Sequence, residues 1–184
     1  MNMIGYLGVG VIFAIVLGFV NIYNDFKKYG NAAEATLGQI KVAMKKRLDM
    51  IEQLLGAVKG YVKHEKEIFE KIARLRQGVD NAPPGELGEI EEESRTVTSS
   101  LLAVAEAYPD LKASENTQRL MQAVIDVEDE IARHRYTYNN IVQQYNTMQE
   151  TIPSSLLAGA ANASKMGYLE FEEEIESPPD ISVN

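Results

Sequence analysis

The sequence predicts an all-α protein in which a single amino-terminal transmembrane helix continues into a long antiparallel, up-and-down helical bundle. Three observations predict this fold. Residues 1–24 carry no charged side chain. Beyond residue 30, apolar residues recur at alternating spacings of three and four, which is the period of amphipathic helices with a narrow, coiled-coil-like seam. No window shows the two-residue alternation of a half-buried strand.

The uncharged start of the chain is predicted to be a membrane anchor over residues 1–24. A helix through residues 4–23 would be about 30 Å long, which matches the hydrocarbon thickness of a bilayer. The alternative is a cleaved signal peptide, but no basic residue precedes the apolar run and no small-residue cleavage site follows it. Lys27 and Lys28 follow directly, so the positive-inside rule predicts a single-pass protein of the cell membrane with its amino terminus outside and its bulk in the cytoplasm.

Small residues recur every four positions within the anchor, at Gly10, Ala14 and Gly18. Such a row lets two membrane helices approach closely and therefore predicts a self-association face. The alternative is that Gly and Ala are simply frequent in membrane helices.

The bundle itself is predicted over residues 25–168 as three long helices and a short fourth. The first helix is expected to run from about Asn31 to Arg76, because its apolar seam continues to Ile72. The glycines and prolines of "QGVDNAPPGELG" (77–88) end it. A second helix follows and extends to Tyr108.

The third helix is expected to begin at Ser114, which is a suitable N-cap, and to end at Pro153. Residues 154–167 are Ala-rich and are expected to form the short fourth helix. Residues 169–184 are acidic and contain two adjacent prolines, so a flexible tail is predicted there.

Composition limits the chemistry that this chain can perform, since it contains no Cys and two His. Thiol catalysis and cysteine-ligated metals are excluded. His64-Glu65 resembles half of a zinc-peptidase motif, but the second histidine is replaced by Ile68. Helical di-iron sites need Glu three residues before each His, where Tyr61 and Ile131 stand instead. We therefore expect no bound metal, no cofactor, no small-molecule substrate and no enzymatic activity.

The charge is divided unevenly along the chain. Residues 25–76 carry twelve Lys/Arg against seven Asp/Glu, whereas residues 77–184 carry six against twenty. Most of this charge is expected to be solvated helix surface, with complementarity between the halves as the next interpretation. Because the chain is acidic overall, with a net charge of −9, nucleic-acid binding is not expected.

Two polar residues occupy positions on the apolar seams, Glu65 in the first helix and His134 in the third. One interpretation is that Glu65 extends to solvent at the rim while His134 is a hydrogen-bonded core histidine. The other is a buried polar pin that fixes helix register, in which Glu65 meets His134, a neighbouring arginine or Tyr138.

The third helix also carries a face rich in Tyr, Asn and Gln, in "YTYNNIVQQYN". We take it as a candidate contact face for another copy or a partner. The alternative is ordinary core packing and solvated amides. Its members are Tyr136, Asn139, Asn140, Gln143 and Asn146.

Five stretches in order give the chain a resemblance to the LemA family along nearly all its length. They are "IYNDF" (22–26), "KKRLDMIEQLLGAVKGYVKHEKE" (45–67), "YPDLKASENTQRL" (108–120), "ARHRYTYNNIVQQYNT" (132–147) and "IPSSLLAG" (152–159).

The sequence departs from the family pattern at Glu52-Gln53, where such proteins commonly carry Pro-Asn, so we expect a straighter first helix. Its acidic tail also looks longer than usual. The resemblance implies a membrane-anchored helical bundle of prokaryotic origin, without an established reaction or cofactor.

The family resemblance also suggests partnership with membrane machinery. Relatives are linked by gene neighbourhood to membrane zinc peptidases of the heat-shock type, and one branch works in magnetosome biogenesis. We therefore expect a membrane-anchored, non-enzymatic scaffold or adaptor that forms homo-oligomers or recruits a partner. The alternative is an accessory or regulatory subunit of a membrane zinc peptidase or of a membrane-stress pathway.

Overall fold

The structure of the protein, a computed structural model, describes residues 3–169 and the side chains of residues 6–169. The all-α prediction is confirmed, since no strand occurs within the described range. Two short 3-10 turns, Pro84–Glu86 and Ser154–Leu157, connect longer elements. The α-helices are α1 (Met3–Ala57), α2 (Glu65–Asn81), α3 (Leu87–Ala107), α4 (Pro109–Ala113) and α5 (Glu115–Glu150).

Helix α1 joins the apolar start of the chain to the bundle without a break. It has 55 residues, so it is about 82 Å long. Its apolar side chains are exposed from Tyr6 to Val20, and the first buried one is Phe26. Among the described helices, α1 is the one whose length and composition would let it cross a membrane. The predicted continuation of the amino-terminal helix into the bundle is confirmed.

The predicted first helix, residues 31–76, is interrupted, which corrects the sequence-based expectation. Helix α1 ends at Ala57, and α2 starts at Glu65 after a turn that contains Gly60 at φ 90° and His64 at φ 69°. Both angles lie in the left-handed region, which a continuing helix does not use. Helix α1 runs through Glu52-Gln53 without a break, and the chain reverses only after Ala57.

The reversal brings α2 back along α1. Arg76 donates to Asp49 at 2.6 Å and to Glu52 at 2.9 Å, which links the two helices on their solvent side. On the inner side, Ile72 and Val79 of α2 are buried against α1. The apolar residues of both helices face one core, so their periodicity continues across the turn and does not reveal it.

Helix α5 packs antiparallel to α1 along most of the bundle. The Ser114 side chain accepts a hydrogen bond from Thr117 N at 3.5 Å, which confirms the predicted cap of this helix. Near one end, the Phe26 and Tyr145 rings meet edge to face with centroids 5.7 Å apart. Further along, Lys46 of α1 pairs with Glu130 of α5 at 2.8 Å.

The core is a continuous apolar layer between α1, α2, α3 and α5. Removing one of its larger members would cost about 2–5 kcal/mol, because the lost contacts leave a cavity. Its fully buried aliphatic side chains include Ile40, Leu48, Ile51, Leu54, Ile72, Leu87, Leu101 and Ile131.

The predicted fourth helix over residues 154–167 does not form, apart from the 3-10 turn Ser154–Leu157. Asn162 adopts φ 52°, in the left-handed region. From residue 163 the chain is irregular and lies along α5, and we call residues 163–169 the strap. Apart from Leu169, the predicted acidic tail, 169–184, lies outside the described residues.

Candidate functional site

The strap is held on α5 by two asparagine side chains, each of which makes a pair of hydrogen bonds with one residue of the strap backbone. Asn146 Nδ2 donates to Met166 O at 2.9 Å, and its Oδ1 accepts from Met166 N at 3.0 Å. Asn139 Nδ2 donates to Leu169 O at 3.0 Å, and its Oδ1 accepts from Leu169 N at 2.9 Å. We call this pair the amide clamp. It recognises backbone groups, so its four bonds do not depend on the strap side chains.

The spacing of the clamp fits an extended chain. Asn139 and Asn146 are two helical turns apart, which is about 10.5 Å along α5. Met166 and Leu169 are three residues apart, which is about 10 Å in an extended segment. The match lets both asparagines bind the same segment without distortion of either partner.

Two further side chains of α5 extend this ladder. Gln149 Nε2 donates to Ser164 O at 3.2 Å, and the Tyr138 hydroxyl donates to Gly167 O at 3.3 Å. Burial raises the pKa of Tyr138 above its ordinary value, so the hydroxyl stays protonated as a donor at neutral pH.

An open groove of about 400 Å³ lies between the strap and α1. Met166 and Gly167 of the strap border it on one side and α1 borders it on the other, and its lining is mostly apolar. The residues that line it are Gly30, Ala33, Glu34, Leu37, Pro84, Tyr138, Met166 and Gly167.

The candidate contact face on α5 is divided by the strap. Asn139 and Asn146 face the chain's own backbone. Tyr136, Asn140 and Gln143 are exposed, and the Tyr136 side chain is 62% accessible. Two of the five predicted residues therefore serve an internal contact, while the other three have exposed side chains.

The predicted polar pin does not form. Glu65 is 41% exposed and pairs with Lys59 at 3.2 Å, in the turn beyond the end of α1. His134 lies one turn from Glu130, whose partner is Lys46, so it is displaced from Glu65 by roughly 20 Å along the α1 axis. Tyr138 lies a further turn away. The register of α5 against α1 is the physical reason, since Lys46 lies beside Glu130 and the antiparallel packing then places His134 nearer the amino-terminal part of α1, away from the turn that holds Glu65.

Other charged residues join α1, α3 and α5 inside the bundle, and of these the polar-pin prediction includes Arg135 alone, as an arginine beside His134. Arg47 is 2% exposed, and its Nη1 lies 2.9 Å from Glu128 Oε2 as an ion pair. Arg95 contacts the same Glu128 at 2.8 Å and Glu91 at 3.0 Å. Arg135 lies 3.4 Å from Glu91. We call these five residues the charge network.

Burial dominates the electrostatics of Glu91 and Arg47 within the charge network. It raises the pKa of Glu91, against the opposing effect of Arg135, and it lowers the pKa of Arg47. Glu91 Oε2 and the hydroxyl of the adjacent Ser94 are buried without a hydrogen-bond partner in the described chain. The network therefore combines strong pairing with incomplete satisfaction, which is typical of a buried element that specifies packing.

A sequence signal for these buried charges exists. Arg47 lies four residues after the buried Ala43, Glu91 four after Leu87, and Arg135 four after Ile131. Each therefore lies on the buried face of its own helix. The pattern is easy to overlook because charged residues on a helix are usually solvated.

The small-residue row of the anchor remains open on the described chain. A Cβ added at Gly10 or Gly18 would meet nothing within 4 Å. Gly10 and Ala14 lie in a shallow apolar depression beside Tyr6, Leu7 and Val11. This surface has the shape that close helix approach requires, and self-association through it stays a prediction.

No group of three or more His, Asp and Glu within the described residues is arranged to hold a metal ion. The polar features of this part of the chain are thus a backbone clamp, a network of ion pairs and solvated helix surface. Such features hold segments of the chain together and define the shape of the bundle.

The sequence model of the LemA family matches residues 36–183, which is most of the chain. The chain belongs to the LemA family. The match covers α2 to α5, the strap and the part of α1 from Thr36 onward. It therefore includes both the amide clamp and the charge network, and it confirms the resemblance seen in the sequence.

Curated relatives of this LemA-family chain come from two bacteria. Protein LemA of Metamycoplasma hominis is 26% identical over 155 residues, which cover 83% of this chain and 69% of the relative. The magnetosome proteins MamQ 1 and MamQ 2 of Paramagnetospirillum magneticum are each 20% identical over 194 residues, covering 91% of this chain and 71% of theirs.

Proposed function

We propose that this LemA-family protein is a membrane-tethered, non-enzymatic scaffold that holds a stiff helical bundle at a fixed position beside the bilayer. The observation that carries the proposal is α1, one helix that begins in an exposed apolar stretch and ends in the bundle core. A helix transmits orientation along its axis, whereas a flexible linker would not.

The proposed membrane segment differs from the rest of α1 in what surrounds it. Apart from Phe19, the large apolar side chains from Tyr6 to Val20 are about half exposed or more, which is unfavourable in water over so long a stretch. From Phe26 onward, α1 alternates buried and exposed positions as a bundle helix does. The change occurs beside Lys27, whose ammonium lies 5.5 Å from the centre of the Tyr23 ring. Aromatic and basic side chains of this kind mark a membrane interface.

We infer an orientation with the amino terminus outside and the bundle in the cytoplasm, on the basis of Lys27 and Lys28. The absence of native Cys makes a direct test possible. Asn2→Cys and Val42→Cys variants would be treated with a membrane-impermeant maleimide in intact and in lysed cells. The expected result is labelling of Asn2→Cys in intact cells and of Val42→Cys only after lysis. Labelling of Val42→Cys in intact cells would show that the bundle lies outside the cell, which is the opposite orientation.

The scaffold role itself is tested by what remains bound to the protein after gentle solubilisation of native membranes. Self-association through Gly10, Ala14 and Gly18 predicts homo-oligomers, which Gly10→Leu should weaken because a bulky residue separates the helices. Val9→Leu, on a different face, is the matched control. Recovery with a stoichiometric membrane peptidase would instead support the accessory-subunit function. A monomer with no copurifying partner would contradict the scaffold.

A further inference from the structure

We propose that the turn after α5, residues 151–162, inserts into the interface of the bilayer next to α1 and gives the bundle a second contact with lipid. We call this turn the tip. The proposal rests on the membrane anchoring proposed above. It goes beyond that anchoring because it assigns a second lipid-binding surface to residues that are far from the predicted anchor in sequence.

The chemistry of the tip is unusual for a solvent-facing turn. Its sequence, "TIPSSLLAGAAN", contains no charged residue. Ile152 is 82% exposed and Leu156 is 70% exposed. They are the two most accessible large apolar side chains among those described, more so than the side chains of the bare apolar stretch of α1. Two such residues on an uncharged turn form a surface that favours an apolar environment.

The position of the tip follows from its contacts with α1. Leu157 and Ala158 pack in a small cluster with Ile22 and Phe26, at the last turn of the predicted anchor. Lys27 Nζ donates to Ala161 O at 3.1 Å, which ties the far side of the tip to the first basic residue of the chain. The tip is therefore level with the boundary between the apolar and the basic parts of α1.

The direction of α5 places the exposed residues toward the membrane. Tyr145 packs on Phe26, and α5 continues five residues past it to Glu150, which is about 7.5 Å. Because α5 is antiparallel to α1, this extension leads toward the amino-terminal, apolar part of α1. Leu157 then turns inward to the small cluster, whereas Leu156 beside it remains exposed.

The charged groups nearest the tip are compatible with a lipid interface. Glu150 and Lys165 flank it and pair with each other at 2.6 Å. Lys27 is shared between the Tyr23 ring and the Ala161 carbonyl. Paired charges and amphipathic side chains lie at headgroup level, while the uncharged residues between them extend further into the bilayer. Continuity with the exposed apolar surface of α1 favours lipid over a second copy or a protein partner.

The test uses the full chain, which contains no Trp, so one introduced Trp reports a single site. Ile152→Trp and Leu156→Trp probe the tip. Val42→Trp is the matched control, because Val42 is 67% exposed in the middle of the bundle. Each variant would be reconstituted into phosphatidylcholine vesicles with plain or brominated chains, and vesicle flotation and helical circular dichroism would be recorded for each.

Insertion predicts a blue-shifted Trp emission at positions 152 and 156 and a loss of intensity in brominated vesicles, with neither effect at position 42. Emission at 152 and 156 equal to that at 42, in protein that floats with the vesicles, would overturn the tip proposal alone. A blue shift without bromine quenching would also overturn it, since it would indicate contact with protein. Failure of every variant to float would instead overturn the membrane anchoring.

Discussion

The middle of the bundle and the end that lies next to the apolar part of α1, which we call the proximal end, are held together by different chemistry. In the middle, Arg47, Glu91 and Arg135 are buried charges that join three helices. At the proximal end, Asn139 and Asn146 bind the strap through neutral amides, and no charged side chain takes part in the clamp. Both arrangements use polar groups of α5, and Arg135 of the network lies four residues before Asn139 of the clamp.

The difference follows from what each contact must join. Helices have no free backbone groups in their interiors, so α1, α3 and α5 can be linked only through side chains. The strap is not helical, so its backbone groups need partners, and a carboxamide supplies one donor and one acceptor at once. Charge therefore links helix to helix, whereas amides link helix to extended chain.

The largest expected effect is that of Arg47→Ala in the charge network. It removes a buried guanidinium and its packed stem, which should reduce the free energy of unfolding by about 3 kcal/mol. Thermal unfolding in lipid nanodiscs, followed by circular dichroism, measures it. Arg76→Ala is the control, since Arg76 pairs with Asp49 and Glu52 on the solvent side, where such pairs contribute about 0–1 kcal/mol. Equal effects for both variants would contradict the role of burial.

The next effect is local and concerns the amide clamp. Asn146→Ala removes two hydrogen bonds to Met166, which should lower the free energy needed to open the strap by roughly 1–3 kcal/mol. Amide hydrogen exchange at Met166 and Leu169 should accelerate accordingly. Asn140→Ala is the matched control on the exposed side of the same helix. Unchanged exchange in Asn146→Ala would show that the strap is held by other contacts.

The charge network also predicts a pH dependence. Burial raises the pKa of Glu91 in the folded protein, so the folded state binds a proton more readily than the unfolded state does. The contribution of Glu91 to stability should therefore fall as pH rises from about 4.5, the ordinary carboxyl value, through the raised folded value. Comparison of the unfolding free energy of the native protein and Glu91→Gln over this window tests it. A difference that grows in favour of the native protein with rising pH would contradict the burial effect.

The smallest expected effect is that of Lys165→Ala in the strap. Lys165 pairs with Glu150, and both side chains are well exposed, so loss of the pair should leave the unfolding temperature and strap exchange unchanged. Faster exchange at Met166 comparable with that of Asn146→Ala would show that the ion pair, rather than the clamp, holds the strap.

The positions of the helices are easier to predict from this sequence than the contacts between the helices. Ser114 was identified as a cap because its role depends on the next three residues alone. The turn at residues 58–64 was missed because Val58, Val62 and Ile72 keep a helical period across it. Residues 154–167 were expected to be helical from their composition, but their backbone bonds are made partly with α5 side chains.

In the candidate site, too, individual residues are easier to predict than their partners. Asn139 and Asn146 were selected as contact residues, but their partner is the chain's own strap. Glu65 was expected to pair within the bundle and instead pairs in a turn. Arg47 and Glu91 are not predicted, although each follows a buried residue by four positions. Arg135, an arginine beside His134 in the predicted pin, pairs with Glu91 and not with Glu65. Pairing between residues distant in sequence depends on register, which periodicity alone does not define.

The sequence by itself determined the helical class, the apolar start of α1, the capping of α5 and the LemA family, because each depends on local pattern or on similarity along the chain. The tertiary structure decided where the chain reverses, which charges are buried and what the α5 asparagines bind. Those features depend on which helix faces meet. The free energy of such contacts comes from residues that are distant in sequence, so the residues next to any one position do not predict it.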